Sequence, residues 1–197
     1  MRCFVATLLD DAARAAVAGE IERLRPLGRA VAWVPADNLH LTLRFLGEQP
    51  ADAADRLVEG LEEAARATPA FTLGLHGLGA FPGLERPRIL WVGVAGGALE
   101  IRGLQARVET ALDARGFGRE ARPWHAHLTV GRVFDPARWR REAGPALRAE
   151  IARLGTRALA DLPVAQVALV RSELHPAGAR YHTLHAVTLA AAAPALQ

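Results

Sequence analysis

Apolar residues recur along this chain with two alternating periods, which predict a mixed succession of strands and helices. Residues 2–9 are strand-like, and Asp10-Asp11 then offers a cap for a helix to about Arg25, before Pro26 and Gly28 interrupt. Two apolar-rich strands are predicted at 30–34 and 38–46, separated by Pro35-Ala36-Asp37; Gly47 and Pro50 close the second. Residues 51–67, rich in Ala, Leu, Glu and Arg, predict a helix. Strands at 71–78 and 88–94 flank the turn-rich segment 79–83, and a helix over 99–115 ends at Gly116. Alternation returns over 125–134. Asp135-Pro136 then opens a helix expected to break at Gly144-Pro145 and to resume until Leu154. Strand patterns at 164–173 and 181–189 around Pro176 and Gly178 predict a long hairpin, and 190–197 is a featureless tail.

Inside two of these strands lies the same short pattern, His40-Leu41-Thr42-Leu43 and His127-Leu128-Thr129-Val130, 87 residues apart. Side chains at i and i+2 of a strand share a face, so each copy aims an imidazole and a hydroxyl one way and two apolar side chains the other. The composition predicts about 0.1 such matches by chance, so a pair is a signal. The chain carries no linker, and the order of elements suggests an internal duplication with one motif per half. A single bilobal domain over 1–197 is expected, with both motifs facing one central groove.

Composition narrows the chemistry. All 24 residues counted as Lys+Arg are arginine, so Schiff bases, lysyl-nucleotide intermediates and a phosphate-loop lysine are excluded. Cys3 is the only cysteine, which excludes an intrachain disulfide and a thiolate-rich metal site. A net charge of +3 permits an anionic partner without demanding one. No run approaches about 18 uninterrupted apolar residues, and the N-terminus carries no signal-peptide pattern, so a cytoplasmic protein is expected. In-line cleavage of a phosphodiester needs a base for the attacking oxygen, an acid for the leaving oxygen and donors for the phosphoryl charge. Two histidines and two threonines supply that set.

These motifs resemble the 2H phosphoesterases, and within them the bacterial and archaeal RNA 2′,3′-cyclic phosphodiesterases, also described as 2′-5′ RNA ligases. The likeness extends from Trp33-Val34 and His40-Leu41-Thr42-Leu43-Arg44-Phe45-Leu46-Gly47 through Phe81-Pro82, Pro87-Arg88 and Trp91. It continues in Arg122-Pro123-Trp124, Gly131-Arg132, Ser172 and Gly178-Ala179-Arg180-Tyr181. Ala126 departs from the pattern, since the family usually has proline directly before the second histidine. The resemblance implies an α+β, bilobal fold with two antiparallel-sheet lobes, outer helices and pseudo-twofold symmetry around a groove. It also implies metal-independent hydrolysis of RNA or nucleotides with 2′,3′-cyclic phosphate ends to 2′-phosphomonoesters. On that resemblance His127 activates water and His40 protonates the departing ribose 3′ oxygen. Thr42, Thr129 and Arg132 hold the phosphate and Phe45 stacks on the nucleobase. No cofactor is expected, and a monomer is.

Other residues carry alternatives. His125, two before His127, is expected on the same face, as a groove wall or as part of a His-x-His metal clip. Arg44, at i+4 from His40, is expected on the groove face, tracking an RNA backbone or lying at the surface. Arg138, Arg140 and Arg141 read as a solvated helix face. Rival functions are 2′-5′ ligation by the reverse reaction, a non-catalytic nucleotide-binding or RNA-binding module, and a metallohydrolase built on His125 and His127.

Overall fold

The computed structural model describes residues 1–155, 157–176 and 178–192. Its strands are β1 (Arg2–Leu8), β2 (Val31–Trp33), β3 (His40–Glu48), β4 (Phe71–Phe81), β5 (Ile89–Val94), β6 (His127–Val133), β7 (Ala158–Val164), β8 (Gln166–His175) and β9 (Gly178–Thr188). The helices are α1 (Asp11–Leu24), α2 (Ala54–Arg66), α3 (Ala98–Asp113), α4 (Pro136–Arg138) and α5 (Gly144–Leu154). The strands form one antiparallel sheet in the order β7-β4-β5-β6-β3-β1-β8-β9, with β2 added on β6. No described helix is long and apolar enough to cross a membrane.

That strand order is palindromic about its centre. β3 is flanked by β1 and β6 by β5, and the two halves are joined through a single residue pair, Leu41 opposite Leu128. The halves are not the two halves of the sequence. After α2 the chain crosses into the second half for β4 to β7, then returns, and the β8–β9 hairpin completes the first half.

Helix spacing explains how the sheet is covered. In α1, capped by the Asp10 carboxylate on Ala13 N–H, the buried side chains are Ala13, Val17, Ile21 and Leu24, a single stripe at three- and four-residue steps. In α3, Ile101, Leu104, Val108 and Leu112 do the same. α1 packs against β7, α2 against α3, β8 and β9, and α5 against β4. One apolar cluster contains buried residues from every strand except β9. β1 is buried throughout its interior, as expected of a strand paired on both edges and covered on both faces.

Several predicted boundaries shift. Residues 158–164, almost all of which lie between the predicted helix and the predicted strand, form β7, whose alternation is obscured by Asp161 and Pro163. The strand pairs only with β4, so Pro163 at the sheet edge costs no ladder bond on its free side. The helix after Asp135 widens rather than breaks. A π-helical stretch, Trp139–Ala143, joins α4 to α5, which absorbs the missing N–H of Pro145. The first motif strand begins at His40 because residues 36–38 form a 3-10 turn, and β6 begins at His127, not at residue 125. The final residues of the predicted tail, 193–197, lie outside the described residues.

Arg44 contradicts its expected placement. It is buried, at 6% exposure, and its guanidinium forms an ion pair with Glu109 of α3 while donating to the carbonyls of Phe117 and Gly118. Removing one partner of such a pair strands the other charge away from water. Glu109→Ala is therefore expected to lower the unfolding free energy in urea by about 3–5 kcal/mol. Glu22→Ala, which breaks the exposed Arg25–Glu22 pair, should leave the midpoint unchanged.

Candidate active site

The central residue pair decides where the motifs point. With Leu41 opposite Leu128 in an antiparallel register, His40 lies toward Thr129 and Thr42 toward His127. Leu41, Leu43, Leu128 and Val130 are buried, whereas both histidines and both threonines are half-exposed on the other face. The two copies of the motif therefore meet on one surface.

Each motif strand then departs from strict alternation in the same way. Val5 and Ala6 of β1 face Arg44 and Thr42, leaving Leu43 as an extra residue; Leu90 and Trp91 of β5 face Gly131 and Thr129, leaving Val130 extra. These β-bulges put two successive residues on the core side, Leu43 with Arg44 and Val130 with Gly131. The following residues, Phe45 and Arg132, return to solvent, and Phe45 is 58% exposed. Both residues occupy the fifth position after their motif histidine. Gly131 has its own steric reason: a Cβ there would lie 2.6 Å from Val31 Cγ1, where β2 covers β6.

The imidazoles are held identically. Nδ1 of His40 lies 2.8 Å from the carbonyl oxygen of Asn38, and Nδ1 of His127 lies 2.8 Å from that of His125. A carbonyl only accepts, so Nδ1 carries the proton in both rings and Nε2 is left to gain or lose one. Asn38 is itself fixed, its side-chain amide donating to the Ala179 carbonyl 2.8 Å away at the β8–β9 hairpin. Aromatic edges pack the rings: Tyr181 is perpendicular to His40 at 5.2 Å, and Phe81 to His127 at 5.3 Å. Phe4 lies 4.7 Å from His40.

Burial pushes both imidazoles below the ordinary histidine pKa, against the opposing pull of the carbonyl hydrogen bonds. The positive charge of Arg132 lowers both further, and the charge of His127 adds to the effect on His40. Beside this pair opens a pocket of about 280 Å³, whose walls include Phe45, Phe81, Pro123, Trp124, His125 and His127.

Of the residues nominated from the motifs, Thr42, Phe45 and His127 line the pocket, His40 and Thr129 share the unburied face of their strands, and the Arg132 charge acts on both imidazoles. His125 lies on the groove wall, as one of its two expected readings had it, but outside the strand. It precedes the strand, its backbone carbonyl orients His127, and its ring lines the pocket 6.4 Å from Phe81. Among the described residues no three His, Cys, Asp or Glu side chains converge as a metal-ligating group. Sequence reasoning passed over Phe4, Asn38 and the contact of Tyr181 with His40. Neither Asn38 nor Phe4 carries a local signal, because the group that orients each histidine is a backbone carbonyl, which every residue has.

A family model described as the 2′-5′ RNA ligase superfamily matches residues 11–176. The chain belongs to the 2′-5′ RNA ligase superfamily. Among its curated relatives, an Aeropyrum pernix protein named RNA 2′,3′-cyclic phosphodiesterase is 35% identical over 176 residues, 87% of this chain and 96% of that one. A Thermus thermophilus protein of the same name is 35% identical over 198 residues, 96% of this chain and 90% of that one. Among solved structures, one from Thermus thermophilus superposes with a TM-score of 0.71 at 32% identity, covering 96% of this chain and 98% of that one. Escherichia coli LigT complexed with 3′-AMP gives a TM-score of 0.73 at 26% identity, covering 95% and 97%. The two superpositions cover 96% and 95% of this chain.

The depressed imidazoles make folding stability pH-dependent. A histidine with a lower pKa folded than unfolded binds more protons when unfolded, so stability falls as pH drops through the unfolded value of about 6.5. The free energy of unfolding should therefore be lower at pH 5.5 than at 7.5, and a His40→Ala/His127→Ala variant should lose less over that interval. Replacing Arg132 by Gln should raise both imidazole pKa values in an NMR titration.

Proposed function

We propose that this chain hydrolyses RNA 2′,3′-cyclic phosphate ends to 2′-phosphomonoesters by paired imidazole chemistry, without a metal ion or cofactor. The observation that carries this reading is the matched pair of Nδ1–carbonyl hydrogen bonds, which leaves two Nε2 atoms as the proton-transferring groups on one groove. The names of the relatives support the same substrate class.

In the proposed reaction, Nε2 of His127 takes a proton from water as the water oxygen bonds to phosphorus. The P–O3′ bond breaks on the opposite side, and the ribose oxygen takes the proton from Nε2–H of His40. The assignment of direction follows the family resemblance, and the two imidazoles exchange roles when the same path is run backwards as 2′-5′ ligation. Thr42 and Thr129 donate to non-bridging oxygens, and the Arg132 fork neutralises charge on the phosphoryl group. The exposed Phe45 ring provides a stacking surface for the nucleobase, as single-stranded RNA ends are commonly bound. Both histidines and Arg132 come from one chain, which supports a single bilobal domain acting as a monomer.

With an oligonucleotide ending in a 2′,3′-cyclic phosphate, the purified protein should yield a single regioisomer, the 2′-phosphate, with chelator present. A mixture of 2′- and 3′-phosphates, or activity lost to chelation and restored by zinc or manganese, overturns the reading. His40→Ala and His127→Ala should each lower kcat by roughly 10² to 10⁴, and the double variant by little more than either. The rate should follow a bell-shaped pH curve, because one imidazole must be neutral while the other is charged.

A further inference from the structure

The chain reaches His127 through a segment with little order of its own. Residues 117–126 form neither helix nor strand, and outside the strand ladders no described residue from Gly118 to Ala126 takes part in a backbone–backbone hydrogen bond. Ala126, directly before the histidine, leaves its own φ unrestrained, as a proline would not. Yet His127 must stand at a fixed distance from His40 for two proton transfers to occur in line. What holds this coil is a set of side-chain tethers. At its start, Arg44 of β3 donates to the carbonyls of Phe117 and Gly118. Glu109, the partner of Arg44, accepts from Glu120 N–H at 3.4 Å.

At its end, the Trp124 indole Nε1–H donates to the backbone carbonyl of Thr42, 3.0 Å away. This last contact sits where the sheet fails. β3 and β6 pair only at Leu41 and Leu128, and β6 does not extend upstream of His127. The Thr42 carbonyl takes a side-chain donor from the residue three before His127, next to the one pair that joins the motif strands and beside the pocket.

We propose that the Trp124 indole N–H is a positioning group for His127, acting as a side-chain rung between the two motif strands and fixing the separation of the imidazoles. The indole is not assigned to touch the reacting atoms. The inference rests on the two-histidine reading above.

The test measures steady-state hydrolysis of 2′,3′-cyclic AMP by Trp124→Phe, which keeps an aromatic wall and deletes the donor. A misplacement of about 1 Å in a catalytic group can cost about 10²-fold, so kcat should fall about 10- to 100-fold while KM changes less than about threefold. In a His127→Ala background the same substitution should cost nothing further, since there is no longer an imidazole to position. Trp124→His, whose Nε2–H superposes on the indole N–H relative to Cγ, should recover part of kcat over Phe and remains informative if the Phe variant is unstable. Wild-type kcat in Trp124→Phe, an equal loss in the His127→Ala background, or no difference between Phe and His variants overturns the proposal. An unchanged rate in His127→Ala itself would instead overturn the two-histidine reading.

Discussion

The pairing of Leu41 against Leu128 is the constraint on which the rest depends. It is the only register contact between β3 and β6, yet it joins a four-stranded half to a five-stranded one and places the approximate twofold between the motifs. Both leucines are fully buried, so the contact is secured by apolar burial on the core side while the opposite face stays open for polar groups. A slip of one residue would turn the histidines inward and the leucines outward. The hydrophobic pattern of the motif therefore protects its chemistry.

A second consequence concerns the bulges. The extra residues at Leu43 and Val130 interrupt alternation at equivalent points, and each returns the fifth residue after the histidine to the groove side. One half places an aromatic ring at that position, Phe45, and the other a cation, Arg132. The residues just before them diverge as well, for Arg44 is a buried anchor for the coil leading to His127, whereas Gly131 makes room for β2. An approximately symmetric frame thus carries an asymmetric site.

The positive charge of Arg132 acts on both imidazoles and, with burial, keeps them depressed in the free protein. An anionic phosphodiester entering the groove offsets that field and raises the imidazoles' proton affinity. The same groups make the empty groove a source of instability in acid, a local cost borne by the large shared core.

The sequence by itself determined the motif pair, the residues on its polar face, the succession of most strands and helices, and the absence of lysine and disulfide chemistry. These follow from local period and composition, which the chain carries wherever it folds. Strand β7 is not legible in the same way, because Asp161 and Pro163 obscure its pattern and their tolerance depends on its edge position. The burial of Arg44, the backbone role of His125 and the contacts of Phe4 and Tyr181 with His40 were decided by the tertiary structure. Bulges are set by partner strands, the hairpin that completes the first half comes from the far end of the chain, and the Glu109 that neutralises Arg44 lies 65 residues away. No local pattern can encode a partner that only folding brings into contact.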